Sequence, residues 1–276
     1  MLGIVHRVIT EFLVEQAGLR RGAADAGSVT LIQRFGSAGN LNIHLHCLVL
    51  DGVYRRAEPE PTFEQARAPT GDELAGLLEQ IVARLMKRLT RTGHLVEEQG
   101  MTYQAEADTE NPLASLQAAS CTYRIALGPR AGQKVLSVRT VAGREEKPRK
   151  ALCADAHGFS LHAAVRLAIH RRKELERLCR YIIRPALDNE RLSRNARGEV
   201  VLKLKSPYRD GTTHIVLQPR EFMQRLAALV PRPRLHLIRY HGVLAPNANC
   251  VGRSSRNPSR GTMHRRTSTR TAWRRG

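Results

Sequence analysis

The chain has 276 residues, 42% of them hydrophobic, and a formal charge of +20 from 45 Lys and Arg against 25 Asp and Glu. That length and apolar content support one large domain or two small ones and exclude a chain that is disordered throughout. The charge calls for a polyanionic partner, nucleic acid before acidic lipid, and 38 of the 45 cations are arginine, whose planar fork matches phosphate.

Residues 1–20 carry a helical pattern through Val8, Ile9, Phe12, Leu13 and Ala17 that Arg20, Arg21 and Gly22 close. Two strands follow, 29–35 and 42–50, joined by the turn cluster 36–40 as a hairpin. Pro59, Pro61 and Pro69 mark a loop, and Thr70-Gly71-Asp72-Glu73 has the spacing of a capping box. The helix it opens repeats Leu74, Leu77, Leu78, Ile81, Val82, Leu85 and Leu89, keeps Arg84, Lys87, Arg88 and Arg91 mainly on the other side, and stops before Gly93. In 94–150 the pattern suggests strands at 121–127 and 134–139 around Gly128-Pro129, with a charged turn at 143–150. A long helix is expected over 161–183, broken near His170 and ended by Pro185. Strands at 200–205 and 212–217 flank a turn, Pro219 starts a helix over 220–229, and a final strand spans 234–240. Past Asn247 eight arginines sit among Ser, Thr, Pro and Gly without an acidic residue, the composition of a disordered tail, which leaves +12 on the body. No internal repeat is present, and the expected class is α+β.

No apolar run approaches the ~18 residues a membrane helix needs, and Met1 to His6 lack a signal-peptide pattern, so a cytoplasmic location without membrane association is expected. Cys47, Cys121, Cys153, Cys179 and Cys250 are odd in number and never form Cys-x-x-Cys, which reads as reduced thiols. With aromatics at 4%, backbone electrostatics carries more of any DNA affinity than base stacking.

Two groups of residues could do chemistry. His44 and His46 lie two apart on a strand, so both imidazoles leave one face while Ile43, Leu45 and Cys47 leave the other. Such a pair can hold one divalent ion and leave positions for phosphate oxygens, although two histidines in a strand are more often plain core or surface residues. Asp and His do not follow the pair, as a metallo-β-lactamase-type site would want, and the elements do not alternate as in a barrel. The second group surrounds Tyr181, which shares a helical face with Glu174, Arg177, Leu178 and Arg184. Neighbouring guanidiniums lower a phenol's pKa and offer donors to phosphate; the plain alternative is a tyrosine packed at a helix end.

The stretches Gln33 to Ser37, Leu41 to His46 and Leu50 to Tyr54 together resemble the His-hydrophobic-His (HUH) region of two-tyrosine rolling-circle transposases of bacterial insertion sequences. Gly158 to Ala163, Leu175 to Pro185, Asp210 to His214 and Arg239 to Asn247 resemble later segments of the same family, in order. The resemblance implies an HUH-type antiparallel sheet with flanking helices, the histidines on a central strand and the tyrosine on a helix nearby. It implies a transposase in which His44 and His46 hold Mg²⁺ or Mn²⁺ and Tyr181 attacks single-stranded DNA at insertion-sequence ends, leaving a 5′-phosphotyrosine and a free 3′-hydroxyl.

Arg177 stands where the two-tyrosine pattern has its other Tyr, which places the chain with a single-tyrosine branch. The family's N-terminal cysteine-rich zinc-binding module is absent before the histidine strand, so a truncated catalytic region is expected. Gln33, Glu174 and His170 are candidates for a third ligand, and Tyr208 is a reserve nucleophile. Arg177, Arg180, Arg184, Lys203, Lys205 and Arg209 are expected to bind DNA. No small-molecule cofactor is implied. The expected division is 1–190 as the catalytic region, 191–247 as a C-terminal hairpin and helix region, and 248–276 as the tail. The alternative is an inactive DNA-binding remnant of a transposase.

Overall fold

A computed structural model describes residues 1–56, 61–98, 101–104, 111–141, 151–168, 170–246 and 248. The expected charged turn at 143–150 and all but the first residue of the expected tail lie outside them. In chain order the elements are α1 (Leu2–Gln16), β1 (Ala24–Asp25), β2 (Gly27–Phe35), β3 (Leu41–Val49), β4 (Gly52–Arg55), β5 (Thr62–Gln65) and α2 (Gly71–Arg91). There follow β6 (Leu95–Glu98), β7 (Met101–Gln104), α3 (Ala114–Cys121), β8 (Leu136–Arg139), β9 (Cys153–Ala156), β10 (Phe159–His162) and α4 (Arg172–Ile182). A 3-10 turn (Asn189–Arg191) leads to β11 (Leu192–Arg194), β12 (Val200–Lys203), β13 (Thr212–Leu217), α5 (Pro219–Leu229) and β14 (Ile238–Gly242). The fold is α+β, as expected, with every strand pairing antiparallel.

Two sheets organise the molecule, one in the order β14-β2-β3 and one in the order β11-β12-β13-β8. Both cross the boundary at 190/191, because β14 returns to pair with β2 and β13 reaches back to β8. The hairpin β2-β3 forms as its two apolar runs and turn cluster suggested, with Gly39 at φ +63° in its turn. That turn is buried: Ala38 is fully enclosed with Leu204, Ile215 and Leu217 of the second sheet. Three further ties hold it. Arg225 Nε of α5 donates to the Ala38 carbonyl at 3.0 Å, Arg191 Nη2 to the Ser37 carbonyl at 2.5 Å, and the Leu41 amide to Ser120 Oγ of α3 at 2.8 Å.

Helix α2 shows why sequence sets its limits. Thr70 Oγ1 accepts from the Glu73 amide while the Glu73 carboxylate accepts from the Thr70 amide, and Gly93 takes the left-handed conformation just past the end. Its Leu74, Leu78 and Val82 bury against the β9-β10 hairpin through Ala154 and Leu161. Helix α1 packs Leu13 and Val14 over Ala24, Ala26 and Val53, and Arg84 of α2 donates to Glu11 of α1 at 2.8 Å.

Several expectations need correction. The described residues of 161–171 are not helical: Phe159–His162 is a strand, and His157 and Gly158, both at positive φ, form the two-residue turn that pairs it with Cys153–Ala156. The expected strand at 121–127 is instead the end of α3 followed by a lone bridge between Arg124 and Lys134, because the run Ala-Ser-Leu-Gln-Ala-Ala-Ser favours helix. The first helix ends at Gln16, with Gly18 at φ +68°, and the final strand is shifted to Ile238–Gly242. Among the described residues β3 pairs only with β2, so the histidines lie on an edge strand rather than a central one. The chain turns away at Asp51-Gly52, and β4 joins a separate β1-β4-β5 sheet.

Candidate active site

Pairing across the first sheet puts Gln33 opposite His44 and Leu31 opposite His46, with Ile238 of β14 completing the second row. Paired residues share a face, so His44, His46, Gln33, Ile238 and Tyr240 emerge together. This face is open: Ile238 and Tyr240 are about half exposed and His44 is exposed. At its Ser28–Thr30 end the opposite face is covered by α1, whose buried His6 is bound on both ring nitrogens, to Ser28 Oγ at 2.7 Å and Thr30 Oγ1 at 2.9 Å. Thr30 donates onward to Cys47 Sγ at 3.4 Å, which leaves its oxygen to accept from His6 Nε2 and lets Ser28 donate to Nδ1. His6 also stacks on His241 with centroids 3.4 Å apart. Burial first, and the His241 ring second, hold its pKa down at about 4. These contacts tie α1 to β2 and, through Cys47, to the strand that carries the two histidines.

On the open face the His44 and His46 rings lie 6.4 Å apart. With the proton on Nε2, His46 donates to Gln33 Oε1 across 3.1 Å. Burial, and then the neighbouring His44, lower the His46 pKa, so the ring stays neutral, the state a metal needs. With the proton moved to Nδ1, the Nε2 lone pair and Gln33 Oε1, 3.1 Å apart, become two donors at the spacing of adjacent octahedral positions with bonds of about 2.1–2.2 Å. His44, His46 and Gln33 are the side chains here that could hold a divalent ion, and nitrogen donors suit Mn²⁺ better than Mg²⁺. Among the described residues no three His, Cys, Asp or Glu side chains gather into a metal-binding group. Of the three candidates for a further ligand, only Gln33 meets the histidines: Glu174 is paired with Arg171 at 3.0 Å, and His170 is exposed before α4.

Tyr181 occupies the last turn of α4, whose side chains are mostly exposed apart from the buried Ile182. The phenol is 49% exposed and held by two cations. Lys205, which follows the buried Leu204 at the end of β12, donates from Nζ to Tyr181 Oη at 3.1 Å, and the Arg184 guanidinium lies 4.1 Å over the ring. The Lys205 hydrogen bond is the largest influence on the phenol and the two positive charges act in the same direction, so its pKa falls below the ordinary range against a smaller opposing effect of burial. Arg191 connects this seat to the histidine hairpin: Nε donates to the Lys203 carbonyl at 2.8 Å while Nη2 holds Ser37. Leu187, six residues past Tyr181, stands close to Gly39 of the same turn.

The structure thus brings together Tyr181, Arg184 and Lys205 at one place and His44, His46 and Gln33 at another, with the β2-β3 turn between. Among the described residues no hydrogen bond or ring contact joins Tyr181 to either histidine. Arg177 is exposed, Arg180 is paired with Glu176 at 2.7 Å, Lys203 is exposed, and Arg209 is exposed in the turn after Tyr208. The Tyr208 hydroxyl meets that of Tyr123 at 3.3 Å within the second core, a structural setting for the reserve nucleophile. Sequence reasoning placed Lys205 at a phosphate-facing edge and missed its contact with Tyr181. It also missed His6, whose only signal was a histidine on the apolar side of α1.

A family model described as "Putative transposase" (Y2_Tnp) matches residues 27–251, from the first residue of β2 past the end of β14. No curated protein and no solved structure matches the chain. No helix among the described residues is long and apolar enough to cross a membrane. The matched segment spans both sheets and all the residues of the two clusters, and the chain belongs to this transposase family.

Proposed function

We propose that this transposase cuts and rejoins single-stranded DNA at insertion-sequence ends through a phosphotyrosine at Tyr181. The observation that carries the reading is a half-exposed phenol with an ammonium on its oxygen and a guanidinium over its ring, a setting that favours phenolate and attracts a phosphodiester. Tyr181 Oη attacks phosphorus, a new O–P bond forms as the P–O3′ bond breaks, and the released 3′-oxygen takes a proton from water. The phosphotyrosine keeps the bond energy for transfer to a second 3′-hydroxyl. His44, His46 and Gln33 would hold a divalent ion, Mg²⁺ or Mn²⁺, which when bound withdraws charge from a phosphate oxygen. Arg177, Arg184, Lys203 and Arg209 supply the exposed positive surface along which the strand would lie.

One observation favours the alternative of an inactive DNA-binding remnant: Tyr181 and the histidines make no direct contact. The test uses single-stranded oligonucleotides, 3′-labelled and tiled across the DNA flanking the coding sequence, incubated with protein and Mn²⁺. The proposal expects a denaturant-resistant labelled complex and an unlabelled fragment extendable by a polymerase, both lost in Tyr181→Phe and in His46→Ala. Retention of the complex in Tyr181→Phe overturns the assignment, and binding without any complex in the parent supports the remnant.

A further inference from the structure

The second sheet contributes a group to the tyrosine that the family resemblance does not name. We propose that Lys205 is a catalytic residue, the cation that holds the Tyr181 oxygen in its ionised form both when it attacks DNA and when it is displaced. The inference rests on the phosphotyrosine reading for its chemistry but on separate geometry for its content.

Lys205 is well placed for this and little else. Leu204 before it is buried and its amide is bound to the Thr213 carbonyl at 2.8 Å, so the backbone is pinned to β13. Its ammonium lies 3.1 Å from Tyr181 Oη and 4.6 Å from the ring centroid, closer to the oxygen than to the face. Arg184 instead lies over the ring, 4.1 Å from its centre. Arg184 lies over the ring and contributes a weaker hydrogen bond to the oxygen, whereas Lys205 makes the dominant contact with the reacting atom.

The surrounding charges reinforce the effect. Arg191 lies near enough to Arg184 for their charges to interact, with Asp188 and Tyr208 beside Arg191. Among the described residues, neither Lys205 nor Arg184 is bound by a carboxylate, whereas Arg171, just before α4, and Arg180, on it, are each paired with a glutamate. The seat therefore carries positive charge that a phenolate or a phosphate offsets.

In cleavage the phenol proton passes to solvent, Lys205 keeps its own protons, Oη bonds to phosphorus and the 3′-oxygen leaves, taking a proton from water. In joining, an incoming 3′-hydroxyl loses its proton to solvent, its oxygen bonds to phosphorus and Tyr181 departs as phenolate onto the Lys205 ammonium. One contact thus lowers both barriers, and its loss slows both directions by the same factor.

The experiment follows Tyr181 ionisation by NMR of protein carrying ¹³Cζ-tyrosine, the signal being identified by its absence in Tyr181→Phe, beside the pH profile of covalent-complex formation. Lys205→Met is expected to raise the Tyr181 midpoint, shift the pH profile by the same amount and slow both cleavage and joining at neutral pH by ~10-fold. Lys205→Arg is expected to restore most of each. An unmoved midpoint in Lys205→Met overturns the inference whether or not the complex forms. A moved midpoint in a protein that forms no complex upholds the lysine–phenol contact and overturns the phosphotyrosine reading. Because Lys205 is exposed, the circular dichroism spectrum of each variant is expected to match the parent.

Discussion

Gly242 ends the strand that closes the histidine sheet, and replacing it with alanine tests how firmly that sheet is held. The residue sits at φ +60°, a conformation that costs an L side chain ~1–2 kcal/mol. An added Cβ would overlap the Ala26 carbonyl oxygen and come within 2.9 Å of its carbon. Both belong to backbone beside the pairing of Gly242 with Gly27, so relief requires the strand to move. Moving it gives up the Val243 amide to Ala26 carbonyl bond, 3.1 Å long, and weakens the pairing, at ~1 kcal/mol for each bond lost. The expected destabilisation in Gly242→Ala is therefore about 3 kcal/mol, read by equilibrium urea unfolding. Gly76, inside α2 with open space around its Cβ position, is the control: Gly76→Ala should stabilise by ~0.5–1 kcal/mol. A loss below ~1 kcal/mol in Gly242→Ala would refute the claim that this close approach shapes the sheet.

Acidification should weaken the fold through His6. Its folded pKa near 4 lies below the ordinary 6.5, so between those values the unfolded chain takes up a proton that the native chain refuses. Stability then rises with pH across that window and falls as pH drops through it, at up to ~1.4 kcal/mol per pH unit, and His6→Gln should flatten the slope in urea titrations run at successive pH values. Mn²⁺ binding followed by electron paramagnetic resonance should vanish in His46→Ala, weaken on the order of 10-fold in Gln33→Leu and stay unchanged in Glu174→Gln; equal losses in the last two would reject Gln33 as the third donor. Thr70→Ala should cost ~1 kcal/mol in thermal or urea unfolding by removing the oxygen that caps α2.

The sequence was most legible where local chemistry and tertiary structure agree. The capping box at Thr70, the leucine spacing of α2, the Pro219 start of α5 and the alternation around His44 and His46 each appear in the fold as read. Failures came where two-residue signals were overlooked or neutralised. Val165, Leu167 and Ala168 extend an apolar run that reads as helix, yet His157-Gly158 makes a tight hairpin turn that pairs the residues on its two sides, Cys153–Ala156 and Phe159–His162, as strands. The candidate site divides in the same way. His44 and His46 on one face follow from strand period alone, and Gln33 follows once the hairpin register is known. Lys205 does not, because it lies 24 residues from Tyr181 and the contact depends on how the second sheet meets the end of α4. His6 was equally hidden: its partners Ser28 and Thr30 are polar residues in a strand that reads as apolar, and only the docking of α1 shows why they are there.

The proposed reaction bonds one particular oxygen, Tyr181 Oη, to DNA. Digesting the denaturant-resistant complex with nuclease and protease and reading the modified peptide by mass spectrometry tests it directly. A nucleotide phosphate is expected on the peptide containing Tyr181, and a phosphate found instead on Tyr208, Tyr240 or another residue would contradict the assignment.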